Sequence, residues 1–391
     1  MTDLDANDPV ALAQALVRCP SVTPVEGGAL SLLEAVLTSA GFTCHRLVMT
    51  EPGTPDVDNL YARIGTAAPH LCFAGHTDVV PPGDEKAWAR PPFGGEIHGG
   101  MLYGRGAVDM KGGIACFLAA TMRYLSANGG KPAGSISFLI TGDEEGPSIN
   151  GTMKVLDWMA ARGEKLDAAI VGEPSNPKTL GDEIKIGRRG SLNGELVVLG
   201  RQGHAAYPHM AENPVPKLAR LIDRLSSKPL DGGTREFQAS SLQFTVISAP
   251  NTATNVISAE ARAKFNIRYN DLWRRPKVET WVREQCAAAA AEIGARYELS
   301  FSGTGEVFLT KPGPLVDTML SAVREVTGRT PALTTSGGTS DARFIQAHCP
   351  VIEFGLVNET IHSIDERVSL ADLAKLTSIY ERFLGQFFAT G

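Results

Sequence analysis

The stretch LCFAGHTDVV, residues 71–80, decides how the chain is read. An apolar run of strand length stops at Gly75. His76 and Asp78 then follow, two residues apart. In an extended chain residues i and i+2 face the same side, so the two side chains project together from a strand exit. An H-x-D pair alone is more often an ordinary polar strand end than a site. The question is whether other strands end the same way.

They do. SISFLITG (135–142) is followed by Asp143, Glu144 and Glu145, DAAIVG (167–172) by Glu173, and VIEFGLVNETI (351–361) by His362. Between the first two strands lies KGGIACFLAATMRYLSANGG (111–130), which reads as a helix closed by glycines. Strands alternating with helices define an α/β protein with a mixed, largely parallel sheet covered on both faces. From about Gly190 the pattern changes to strand, helix, strand, strand, helix, strand. That is the ferredoxin-like order of an α+β unit. It ends with RYELSFSG (296–303), after which the α/β character returns. The expected organisation is a discontinuous catalytic domain over 1–188 and 302–391, with an inserted domain over 189–301.

The totals narrow the function. The 391 residues carry a formal net charge of −6, which excludes a broadly basic nucleic-acid or membrane-surface binder. Cys19, Cys44, Cys72, Cys116, Cys286 and Cys349 are scattered, without a C-x-x-C pair, so they make neither a disulfide framework nor a thiolate metal site. The acidic beginning lacks an apolar signal segment and no run spans a bilayer, so a cytoplasmic location is expected.

In open α/β sheets ligands bind at the carboxyl ends of the strands. His76, Asp78, Asp109 in GRGAVDMKGG (104–113), Glu144, Glu145, Glu173 and His362 would gather there. Buried acids repel one another unless a cation sits among them. Two histidines, several carboxylates and no thiolate suit zinc, and cobalt or manganese less exclusively. At least five donors are offered, more than one zinc needs, which favours a pair bridged by a carboxylate. Glu144 and Glu145 diverge if that strand end stays extended, so one ligates while the other serves as general base; spacing does not say which. Rival readings fail: Asp109 stands where a dinucleotide loop needs its third glycine, and there is neither a phosphate loop nor a serine elbow.

The motifs GHTDVVPPGD, GRGAVDMKGG, TGDEEG, GEPS and IHSIDE together resemble the di-zinc aminoacylase/carboxypeptidase family of metallohydrolases over nearly the whole chain. The resemblance implies an amide hydrolase with two Zn2+ per subunit, for which Co2+ can substitute. His76 and Glu173 would complete one zinc, Glu145 and His362 the other, and Asp109 would bridge both. Glu144 would be the general base and Asp78 would orient His76. A cis peptide is implied at Asp109–Met110. The inserted domain would act as lid and homodimerisation unit. Its His204 would reach the partner subunit's site and stabilise the oxyanion. The substrate implied is an N-acylated amino acid with several carboxylates, contacted by Arg188, Ser191, Tyr207, Asn255, Arg268, Gly338, Thr339 and Asn358. In the loop SGGTSDARFI, Ala342 replaces a glycine usual in the family. A sibling deacylase or small-peptide carboxypeptidase would share the metal site, and a non-catalytic small-molecule binder could share the scaffold.

Overall fold

A strand buried on both faces is mainly apolar, and the polar residues it carries need partners. His70–His76, Ser135–Thr141, Ala168–Val171 and Val351–Glu353 are buried at every residue in the computed structural model, which describes residues 4–389. They lie side by side at the centre of an eight-stranded sheet. Its order is Thr43–Met49, Val57–Ile64, Ser135–Thr141, His70–His76, Ala168–Val171, Val351–Glu353, Glu183–Lys185, Ala332–Thr334. The four central strands are mutually parallel, while Val57–Ile64 runs antiparallel to Ser135–Thr141, and Thr43–Met49 antiparallel to Val57–Ile64.

Register then fixes what the exits present. His76 pairs with Thr141, and Ala74 with Val171. His76 and Glu173 each lie two residues beyond that second pair, so they leave the sheet side by side. Glu144 and Glu145 leave from the other flank of His76.

The helix Lys111–Ala127 is buried along nearly its whole length. Phe117 stacks on Phe73 with centroids 4.3 Å apart, and Tyr380 of the helix Leu370–Ala389 meets both rings edge-on. The Tyr380 hydroxyl donates to the Phe354 carbonyl at 2.5 Å. The start of the Lys111–Ala127 helix is pressed against the sheet, because a Cβ on Gly113 would lie 2.5 Å from the Gly172 carbonyl oxygen. This close approach brings Asp109 to the exit that carries Glu173. The Asp109–Met110 peptide is cis.

The chain divides into two compact units. The first runs to Ile186 and includes Thr310–Thr334 and everything from Ser340; the second comprises Gly187–Leu309 and Thr335–Thr339. The second unit has a four-stranded antiparallel sheet in the order Ser241–Ser248, Glu260–Tyr269, Gly190–Leu199, Arg296–Gly305. Helices Pro214–Ser227 and Arg275–Ile293 supply the rest of its apolar core. Gly190 and Gly194 face Tyr269 and Phe265 across the strands, and those rings cover the space a side chain would fill.

The segment 189–301 lies inside this second unit, which extends beyond it at both ends. The last strand continues to Gly305, and Phe308–Leu309 pairs with Gly187–Arg188. Thr335–Thr339 also belongs to it, although it falls in the stretch 302–391 assigned above to the catalytic domain. The Thr335 hydroxyl donates to the Glu236 carbonyl, and Arg188 Nη1 donates to the Ser336 carbonyl at 2.8 Å.

In a helix, alanine is favoured over glycine by about 1 kcal/mol. At Gly113 the clash with Gly172 outweighs that gain, since overpacking costs about 1–3 kcal/mol. Gly113→Ala is therefore expected to lower the thermal midpoint by roughly 2–6 °C. An unchanged midpoint in a melting experiment would show that the helix can ride away from the sheet without loss.

Candidate metal centre

Asp109 lies between two imidazoles. Its Oδ1 is 3.2 Å from His76 Nε2, and its Oδ2 is 3.4 Å from His362 Nε2. Glu173 Oε1 stands 3.7 Å from His76 Nε2, and Glu145 Oε1 stands 2.8 Å from His362 Nε2. Two donor triads thus share one carboxylate, an oxygen to each. Zinc bonds of 2.0–2.2 Å in a tetrahedron set neighbouring donors about 3.3–3.6 Å apart; the 3.4 Å separation falls in that range, those of 3.2 and 3.7 Å lie just outside it, and the 2.8 Å contact of Glu145 with His362 is a hydrogen bond that a cation would open. Glu144 also belongs to the cluster. Its carboxylate groups with His76 and Glu173, donor atoms within 4.8 Å of one another, and Glu145 groups with His76 and Asp109.

The histidines are aimed from behind. His76 Nδ1 donates to the backbone carbonyl of Asp78 at 2.9 Å, which leaves the Nε2 lone pair of the neutral ring facing the cluster. The Asp78 carboxylate lies farther off, 3.6 Å from Nδ1. It accepts the backbone N–H groups of Glu144 and Glu145 at 3.3 and 3.0 Å instead. Asp78 therefore serves His76 through its main chain and the Glu144–Glu145 corner through its side chain. His362 has a left-handed backbone, φ 56°, which a side-chain-bearing residue adopts at a cost of about 1–3 kcal/mol.

Electrostatics without a cation show the conflict. Burial and the Asp109 carboxylate push Glu173 well above the usual carboxyl range. Burial, with Asp341 and Glu145, pushes Glu144 up to about 8 against the pull of His76 and Arg343. Hydrogen bonds to Asp109 and Glu145 raise His362 to about 10. His76 is raised well above its ordinary value by Asp109, Glu173 and Asp78 despite its burial. Asp109 is held far below the carboxyl range, its burial outweighed by hydrogen bonds from the two imidazoles. Protons here neutralise charge that a pair of dications would neutralise in their place.

One residue absent from the sequence reading organises this centre. Glu366, fully buried, accepts Arg105 Nη1 at 2.7 Å and the backbone N–H groups of Gly106, Val108 and Asp109 at 2.9–3.1 Å. It fixes the loop that presents Asp109. Its only sequence signal was its place at the end of IHSIDE. Asp143, grouped above with the strand-exit acids, takes no part: its carboxylate accepts the N–H groups of Ile149 and Asn150 and shapes that loop.

Of the remaining candidates, Asn358 belongs to the first unit, where its side-chain amide donates to the Pro174 carbonyl at 3.4 Å. The others belong to the second unit and form two groups there. Ser191 pairs in register with Arg268, and Thr339 packs beside Gly305, close to Ser191. Arg188 holds the Ser336 carbonyl in the segment that also carries Gly338. Separately, His204 sits 5.6 Å from the Tyr207 ring, and Ala205 N–H donates to the Asn255 carbonyl.

A largely parallel sheet that gathers carboxylates and imidazoles around one buried aspartate is the framework of a metallohydrolase. Residues 72–386 match the profile of Peptidase family M20/M25/M40, and the chain belongs to that family. It is similar to a succinyl-diaminopimelate desuccinylase of Bradyrhizobium sp. (strain ORS 278), 58% identical over 382 residues, covering 98% of this chain and 100% of the relative. A relative of the same name from Methylorubrum extorquens (strain PA1) is 59% identical, covering 98% and 99%. In fold the chain is similar to an M20 family metallo-carboxypeptidase from Sulfolobus solfataricus, with a TM-score of 0.80 at 20% identity, covering 98% of this chain and 99% of that one.

Glu366→Gln keeps the volume but removes the charge opposite Arg105 and turns an amide NH2 toward backbone N–H donors. A broken buried pair costs about 3–5 kcal/mol. The variant is expected to lose stability on that scale and to retain less metal. Denaturant unfolding alongside elemental analysis would reveal both.

Proposed function

We propose that this chain hydrolyses the amide of N-succinyl-LL-2,6-diaminopimelate to succinate and LL-2,6-diaminopimelate, a step of diaminopimelate and lysine biosynthesis. The observation that carries the reading is Asp109 presenting one oxygen to each of two His–Glu pairs. The close likeness to relatives named for that activity supports the substrate.

Two Zn2+ would be held, one by His76, Asp109 and Glu173, the other by Asp109, Glu145 and His362. When bound they supply Lewis acidity toward the amide carbonyl and make water acidic enough to attack at neutral pH. Glu144 takes the proton of the attacking water on its carboxylate and delivers it to the departing amine nitrogen. Asp78 holds His76 through its carbonyl, and holds the backbone of Glu144 and Glu145 through its carboxylate. His204 donates to the developing oxyanion in the site of a partner subunit. Arg188, Ser191, Tyr207, Asn255, Arg268, Gly338, Thr339 and Asn358 receive the substrate's carboxylates and amide.

The second unit acts as lid and homodimerisation surface. Supporting this, its edge strand Ser241–Ser248 leaves Val246 and Ile247 exposed and its backbone edge unpaired among the described residues. No described helix is long and apolar enough to cross a membrane. The six cysteines are free thiols, which suits a reducing compartment and supports a cytoplasmic enzyme.

Turnover of succinyl-diaminopimelate compared with acetylornithine tests the assignment; preference for the latter would make the chain a sibling deacylase. Glu144→Ala is expected to lower kcat by about 10²–10⁴-fold with both metals retained. Activity near wild type in that variant would remove Glu144 from the proton path. Chelation should abolish turnover, and Zn2+ should restore it. Because both histidines are raised in the metal-free protein, His362 to about 10, metal uptake is expected to release protons at neutral pH, and apparent affinity to rise as pH climbs through that value. Calorimetry in buffers of different ionisation heat measures that release; none at pH 7 would contradict it.

A further inference from the structure

The segment PSVTP, residues 20–24, has no place in the chemistry above, yet it lies along the exit of the His76 strand. Val22 forms a parallel bridge with Val79. Thr23 N–H donates to the Val79 carbonyl at 3.1 Å, and Val79 N–H donates to the Ser21 carbonyl at 2.9 Å. The Ser21 hydroxyl donates to the Thr77 carbonyl at 2.6 Å. The strap is thus fastened by its backbone and by Ser21. It does not need the Thr23 hydroxyl for attachment.

That hydroxyl points at the centre instead. Thr23 Oγ1 donates to Asp78 Oδ2 at 2.6 Å, and its next acceptor, the Gly142 carbonyl, lies at 3.4 Å. Oδ2 is the oxygen that also accepts the Glu145 N–H, while Oδ1 accepts the Glu144 N–H. Asp78 is 1% exposed, so no bulk water can take over a lost partner. Removing the hydroxyl leaves a buried carboxylate oxygen with one donor fewer. The carboxylate can then rotate about its bond to Cβ, and both amides that define the Glu144–Glu145 corner follow it.

We propose that Thr23 is a positioning residue for the hydrolysis: its hydroxyl locks the Asp78 carboxylate, which sets the direction of Glu144 toward the attacking water and of Glu145 toward the metal. The inference rests on the function proposed above and adds a residue about 50 positions upstream of the first ligand to the reaction's machinery. Displacing a group that holds a ligand from behind typically costs 10–100-fold in metal affinity or activity. Because Thr23 acts on geometry and not on substrate contacts, the loss falls on kcat and not on KM.

The test compares wild type, Thr23→Val, which keeps the shape without the hydroxyl, and Thr23→Ser, which keeps the hydroxyl without the methyl. Thr23→Ala replaces the valine variant if the extra methyl crowds Gly146. Each protein is assayed with succinyl-diaminopimelate, and Zn2+ affinity is measured on the metal-stripped protein. Thr23→Val is expected to lose about 10–100-fold in kcat with KM within about twofold, and to bind Zn2+ about tenfold more weakly; Thr23→Ser should stay within about threefold on both. The proposal is overturned if Thr23→Val matches wild type in kcat and Zn2+ affinity, or if Thr23→Ser is as impaired as Thr23→Val. Should the wild type leave that substrate untouched, the substrate reading fails by itself. The order of Zn2+ affinities among the three proteins still decides the role of Thr23.

Discussion

Asp109 has to serve two imidazoles at once, and much of the surrounding architecture follows from that demand. Like charges 4 Å apart repel by about 4 kcal/mol at the effective dielectric near a protein surface, and by more in a dry interior. Asp109, Glu173, Glu145 and Glu144 can share one pocket only if something positive lies among them. The parallel strands gather His76 and Glu173 at a common edge, while His362 arrives on the loop that follows Val351–Glu353 and Asp109 just ahead of the Lys111–Ala127 helix. The glycine that lets the Lys111–Ala127 helix press on the sheet brings Asp109 into that row.

Around this row lies a layer that touches no metal and makes the geometry unique. Glu366 immobilises the Asp109 loop through three backbone amides and a guanidinium. Asp78 immobilises the Glu144–Glu145 corner through two more. In both cases a carboxylate binds main chain. Main-chain dipoles cannot be displaced by side-chain rotation, so these anchors hold donor positions more firmly than ion pairs between flexible side chains would.

The sheet and the donors were legible in the sequence for the same reason. Strands buried on both faces read as unbroken apolar runs, and polar residues at their ends stand out against that background. The strand stops at Thr141 and Glu144 and Glu145 stand in the turn beyond it, so the divergence expected of an extended strand end does not govern them. What escaped reading depends on long-range pairing. Glu366 contacts backbone 257–260 positions away, and Thr23 reaches Asp78 across 55; neither separation leaves a local pattern. Asp143 shows the converse: beside two cluster members in sequence, it turns to hold its own loop. The attachment of Thr335–Thr339 to the second unit was hidden likewise, because a five-residue excursion has no composition of its own.

The donors arrive in the chain far apart, with Glu173 and His362 separated by 189 positions. A ribosome adding 5–20 residues per second takes about 10–40 s to cover that interval. Throughout it the early carboxylates and His76 exist without the imidazole that completes the second triad. A nascent chain can therefore offer a dication only a partial, weaker nest, and full loading belongs to the finished polypeptide. Metal supply during biosynthesis would then influence how quickly new molecules mature more than whether their scaffold folds.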